Sequence, residues 1–85
     1  MERAIGEATR VAGAVYVAQM DAAMGRGAGY VAAHGAATDA CEAAALGVLA
    51  AVTDDEEKAA EVALVVALRI AADFGARRLM LPDVA

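Results

Sequence analysis

From Ala59 to Phe74 the chain is apolar almost without interruption, preceded by Thr53-Asp54-Asp55-Glu56-Glu57-Lys58 and followed by Gly75. Thr53 with Glu56 three positions on has the form of a capping box, the acids suit the positive end of a helix dipole, and Gly75 suits the position after a last turn. The pattern predicts a helix over 54–74. Ala59, Val62, Ala63, Val66, Ile70 and Phe74 fall on one stripe of it, with Leu64 and Leu68 on the opposite side below Glu57 and Glu61. No position from Val62 to Leu68 is polar. Such a segment has to be covered on more than one side. Val62, Leu64, Val66, Leu68, Ile70 and Phe74 are the expected interface residues.

A second helix is predicted over 2–24. Ala4, Ala8, Val11, Ala12, Val15, Ala18 and Ala22 form its stripe, Glu7 and Arg10 can pair, and Gly25 stands as the closing glycine. Gly6 and Gly13 weaken it by up to about 1 kcal/mol each. Val15-Tyr16-Val17 would also suit a strand, so residues 11–35 stay open between helix and strand hairpin. Gly25-Arg26-Gly27-Ala28-Gly29 lacks the spacing and the Lys-Ser/Thr of a phosphate-binding loop and reads as a connector. Tyr30 to Gly35 is too short to assign. Thr38 or Asp39 can cap a third helix over 39–52. After Gly75, Pro82 disfavours helix at the residue before it, which predicts a short extended C-terminal segment.

Composition changes this picture in one respect. The chain has 85 residues and is read as a single domain, 1–85; 61% are hydrophobic, but mostly Ala and Val, with no Trp, one Phe and two Tyr. Alanine contributes little transfer energy at about 25 cal/mol per Å². Small chains usually compensate with disulfides, metal or oligomerisation. A single cysteine excludes an intrachain disulfide and no metal-ligand spacing is present, so a homo-oligomer or a protein partner is expected. Ala4, Ala8 and Ala12, then Ala14, Ala18 and Ala22, recur every four residues and would let helix backbones approach closely.

The formal net charge is −5, which argues against nucleic-acid binding because phosphate contacts need Lys and Arg. The deficit is concentrated in residues 39–61, with seven acids and one base. That run reads as a solvated helix start. The first residues alternate acids and bases without a secretory pattern, and the longest apolar run, Ala43 to Val52, has ten residues. A membrane span needs about 18. A cytoplasmic location with no membrane span is expected.

Two residues could carry chemistry. His34, the only histidine, could act as a base or ligand, but Cys41 lies seven positions away, a spacing read as sharing no strand face or helix turn; a structural or exposed role is expected. Cys41 would lie near the start of the 39–52 helix, where a thiol pKa can be lowered, yet no base adjoins it. A small buried apolar role fits it better.

One resemblance brings chemistry with it. Val15 to Asp21, Gly25 to Val31, Ala60-Glu61 opening Val62 to Phe74, and Gly75 to Asp83 follow the order strand ending in Asp, glycine turn and strand, helix begun at Glu, strand ending in Asp. This order resembles the ribonuclease H-like superfamily. The resemblance implies a shortened α/β domain in which Asp21, Glu61 and Asp83 gather as catalytic carboxylates around Mg²⁺ for phosphodiester hydrolysis.

Propensity favours the first picture. About three residues in ten are Ala, the best helix former, and β-branched and aromatic residues are few. The sequence predicts a mainly α, Ala-rich bundle of about three helices. It is expected to be non-enzymatic and cofactor-free and to act by association, with the metal-dependent nuclease domain as the alternative.

Overall fold

The computed structural model describes the backbone of residues 1–84 and the side chains of residues 1–74. Three helices follow in order: α1 (Glu2–Gly25), α2 (Tyr30–Ala50) and α3 (Glu56–Val84), and no strand occurs among the described residues. Residues 11–35, open between two structures on pattern alone, are the end of α1, a turn, and the start of α2. The short connections fold α2 back along α1 and α3 back along α2. The molecule is elongated, 45 × 24 × 16 Å.

Each helix turns a nearly strict four-residue repeat inward. The buried rows are Ala8, Ala12, Tyr16 and Met20 on α1, Ala33, Ala37, Cys41, Ala45 and Leu49 on α2, and Ala59, Ala63, Ala67 and Ala71 with Val66 and Ile70 on α3. Rows of small residues at i±4 spacing form shallow ridges, so the backbones lie close. Of the two alanine rows read in α1, the one through Ala8 and Ala12 is buried, whereas Ala14, Ala18 and Ala22 face solvent.

The few large side chains are placed against small ones. Tyr16 and Met20, toward the end of α1, stand opposite the alanines that begin α2; Leu49, at the end of α2, stands opposite the alanines that begin α1 and α3. Alternation of this kind fills the space between elements without voids.

The helix ends depart from the sequence reading. α1 runs through Gly25, and Gly27 is the residue in the left-handed region, with φ +85°. Ala28 N–H donates to the Ala23 carbonyl and Gly27 N–H to that of Met24, each at 3.0 Å. That pair of bonds is the Schellman closure. α2 begins nine residues before the expected start, because Thr38 turns its hydroxyl back to the His34 carbonyl at 2.7 Å instead of capping a new turn. At α3 the cap is Asp55, whose Oδ1 accepts the Lys58 N–H at 3.0 Å; Thr53 Oγ1 accepts the Asp55 N–H at 3.2 Å, so the expected Thr53/Glu56 box does not form. α3 also continues through Gly75 to Val84, where an extended segment was expected. One glycine weakens a helix by only about 1 kcal/mol, and good helix formers follow it. Pro82 falls in the last turn.

Candidate interaction surface

The inner face of α3 is committed to the chain's own core. Val66 and Ile70 are buried there, and Val62 and Phe74 are half-buried against it. Only two of the six expected interface residues, Leu64 and Leu68, project outward, 45% and 55% exposed. Between them stands Val65, 56% exposed, which the sequence reading did not single out. The stripe separated Val62, Val66 and Ile70 from Leu64 and Leu68, but in a run with no polar residue from Val62 to Leu68 the pattern could not say which of the two sides the chain covers itself. Packing decides which of them is left outside.

Charged groups border this apolar strip. Lys58 and Glu61 lie before it and Arg69 and Asp73 after it, all exposed and none in an ion pair among the described residues. On the α1 side the strip adjoins a groove of about 350 Å³ lined by Ile5, Thr9, Val62, Val65 and Val66, with Lys58, Glu61 and Arg69 at its rim. Thr9 contributes little polarity there, because its hydroxyl donates to the Ile5 carbonyl at 2.7 Å. The exposed Glu7–Arg10 pair lies elsewhere on α1; the Arg10 guanidinium holds the Glu7 carboxyl below its usual pKa.

His34 belongs to a structural cluster. Its Nδ1 lies 2.8 Å from the Tyr16 hydroxyl; Tyr30 stacks on its ring at 5.8 Å, and Tyr16 meets it edge-on at 5.9 Å. Phe74 stacks on Tyr16 at 5.2 Å. The single Phe, both Tyr and the only His thus gather at one level and bind all three helices together.

Cys41 is buried in the middle of α2, away from any helix start, and burial raises its thiol pKa above the ordinary value, with a smaller contribution from nearby Glu42. The expected helix-start effect would have lowered it. Because α2 includes both residues, the spacing from His34 to Cys41 does place them on one face, contrary to the reading from sequence. They are two turns and about 10 Å apart, too far for a thiolate–imidazole pair.

The carboxylates of the nuclease reading do not converge. None of the segments that the resemblance makes strands is one: Val15 to Asp21 lies within α1, Gly25 to Val31 is the end of α1, a turn and the first residues of α2, and Gly75 to Asp83 lies within α3. Glu61 is level with Thr9, at the rim of the same groove. Asp21 is twelve residues further along α1, about 18 Å away along the axis, and Asp83 is about 33 Å from Glu61 along α3. The Asp83 side chain lies outside the described residues. Ligands of one Mg²⁺ stand about 2 Å from it, so the three cannot share a metal centre. Among the described residues no group of three His, Cys, Asp or Glu is placed to hold a metal, and no helix is long and apolar enough to cross a membrane. Comparison with protein-family models, with curated proteins and with solved structures finds no match to this chain.

Proposed function

We propose that this small acidic protein is a cytoplasmic, non-enzymatic association module that binds a protein surface through the outer face of α3. One observation carries the reading. Leu64, Val65 and Leu68 stand side by side, about half exposed, on a helix whose opposite face already closes the core. Isolated exposed apolar residues are ordinary; adjacent ones rimmed by charge are the usual make-up of a contact surface.

Energetics supports the same reading. A core built largely from alanine gains little from burial, and covering three further large side chains adds to stability what the core itself lacks. The charge of the face suits a protein better than a nucleic acid, since Lys58 and Arg69 are balanced by Glu61 and Asp73.

The test is a photo-reactive benzophenone residue placed at Val65 in the full chain expressed in cells. A discrete covalent adduct is expected, lost when Leu64 and Leu68 are both changed to Glu, whereas the same residue at Ala14, on the solvent side of α1, gives none. A folded protein that yields no adduct at Val65 overturns the reading.

A further inference from the structure

The segment that covers the α2 side of the outer face of α3, we infer, is a basic amphipathic helix of another protein, its apolar stripe laid on Leu46, Leu64 and Leu68. The inference rests on the association reading and adds the chemistry of the partner.

Two grooves flank α3, and their charge differs. The one against α1 carries Lys58 and Arg69 as well as Glu61. The other, against α2, measures about 540 Å³ and is lined by Leu46, Ala50, Ala59 and Ala60, and the charged groups that line it, Asp54 and Glu56, are both acids. Residues 27–57 hold six acids and no Lys or Arg, so neither α2 nor the turn into α3 brings a cation to this side.

The apolar surface continues beyond the groove. Ala60 and Leu64 are one turn and about 40° apart, and Glu57, Glu61, Leu64 and Leu68 fall within an arc of about 60° around α3. Lys58 and Arg69 lie about 120° and 140° from Leu64, on the side that faces α1. Leu46, Leu64 and Leu68 are 37%, 45% and 55% exposed, and Asp54, Glu56 and Glu57 stand where their strip begins. None of these three carboxylates makes an ion pair among the described residues.

Charge complementarity selects the occupant. Opposite charges across an interface attract and like charges exclude, so this strip favours a basic segment and repels an acidic one or a nucleic acid. Lys and Arg also suit a floor of alanine, because their long stems cover apolar surface while the charged ends reach the carboxylates. An extended peptide satisfies its backbone on an open sheet edge, and no strand occurs among the described residues. A helix bonds its own backbone and can lie along α2 and α3 as a further member of the bundle. Over residues 1–74 acids outnumber bases in α1 and α3 and α2 has no Lys or Arg, so the chain's own helices there supply no basic stripe. One helix buries less than the ~1,600 Å² of a standard interface, so the complex is expected to be reversible.

The probe is a fluorescent peptide of about 18 residues, with Leu at i, i+3, i+4 and i+7 spacing and Lys elsewhere, titrated with the full chain in about 0.15 M salt and followed by anisotropy. Saturable binding is expected, and none for a twin peptide with Glu in place of Lys. Leu64→Gln/Leu68→Gln should weaken binding at least about tenfold. Asp54→Asn/Glu56→Gln/Glu57→Gln should weaken it several-fold and flatten its salt dependence. Glu2→Gln/Asp21→Asn, which removes two acids from α1, should leave it within about twofold. Circular dichroism confirms that each variant keeps its helix content.

Equal binding of the Glu twin, or binding of the Lys peptide that ignores the leucines and follows net charge alone, would overturn the inference. So would a self-dimer of the chain that Leu64→Gln/Leu68→Gln dissociates, since a second copy would then hold the strip. If the Lys peptide does not bind but the benzophenone at Val65 still forms its adduct, the association reading stands and only the basic helix is lost; if neither occurs, both fall.

Discussion

The Tyr16 hydroxyl lies 2.8 Å from Nδ1 of His34, and this single contact joins α1 to α2 at the level where Phe74 of α3 stacks on the same tyrosine ring. In a core where most buried side chains are alanine, one aromatic residue does the work that several leucines do elsewhere. Tyr16 is 3% exposed. Replacing it by Phe keeps the stack and removes the hydrogen bond, which should destabilise the fold by about 1 kcal/mol. Tyr16→Ala opens the centre of the cluster and should lose about 3–5 kcal/mol. Urea unfolding measures both. Equal losses for the two variants would show that the ring packs nothing.

Val66 tests whether the inner face of α3 belongs to the chain's own core. It is 5% exposed and belongs to the same buried cluster as Ala8, Ala12 and the α3 alanines. Val66→Asp buries an unpaired carboxylate and should unfold the protein, seen as loss of helical circular dichroism at any concentration. A variant that stays helical but sediments only as a monomer would place Val66 at an interface between chains instead.

At the start of α3 the cap is Asp55, so Asp55→Ala should destabilise by about 1 kcal/mol. Thr53→Ala, which loses only the bond to the Asp55 N–H, should have the smaller effect. The reverse order in thermal melts would restore the capping box that the sequence suggests.

Glycines separate in the same way. Gly27 sits at φ +85°, where a side chain is strained, so Gly27→Ala should lose about 1–2 kcal/mol. Gly35 is exposed within α2 with nothing within 4 Å of an added Cβ, so Gly35→Ala should gain up to about 1 kcal/mol. Denaturation midpoints of the two variants should move in opposite directions.

Cys41 gives a pH dependence of definite sign. Burial raises its thiol pKa, so the folded state holds the proton more tightly than the unfolded chain does. Its contribution is complete below the ordinary thiol pKa and is lost as pH rises from there through the raised value. Wild-type melting temperature should therefore fall in alkaline buffer more steeply than that of Cys41→Ala. A thiol reagent at neutral pH should label Cys41 at the rate of global unfolding. Fast labelling of the folded chain would contradict its burial.

Much of this fold is legible in local pattern. Alanine content, the apolar run after Thr53-Asp54-Asp55, and the stripe through Ala8 and Ala12 point to three helices, because helix propensity and four-residue periodicity act over short spans. The boundaries are less legible, since they depend on which polar groups find partners. Thr38 bonds back within a helix, Asp55 displaces Thr53 as cap, and Gly27 closes α1 in place of Gly25. The resemblance to a nuclease order fails for a related reason. A succession of acids and glycines along the chain says nothing about distance, and the helices carry Asp21 and Glu61 to opposite ends of the bundle.

What the sequence alone determined was helicity, the acidic balance and the presence of more apolar surface on the last helix than one face can hide. Each follows from residue type and spacing. Only the tertiary structure decided which of those apolar residues go inside. α1 and α2 cover one side of α3 and no more, so Val66 and Ile70 are taken into the core while Leu64, Val65 and Leu68 stay at the surface between their four charges. The same packing turned Tyr16, His34 and Phe74, remote in sequence, into the one aromatic centre of an alanine interior.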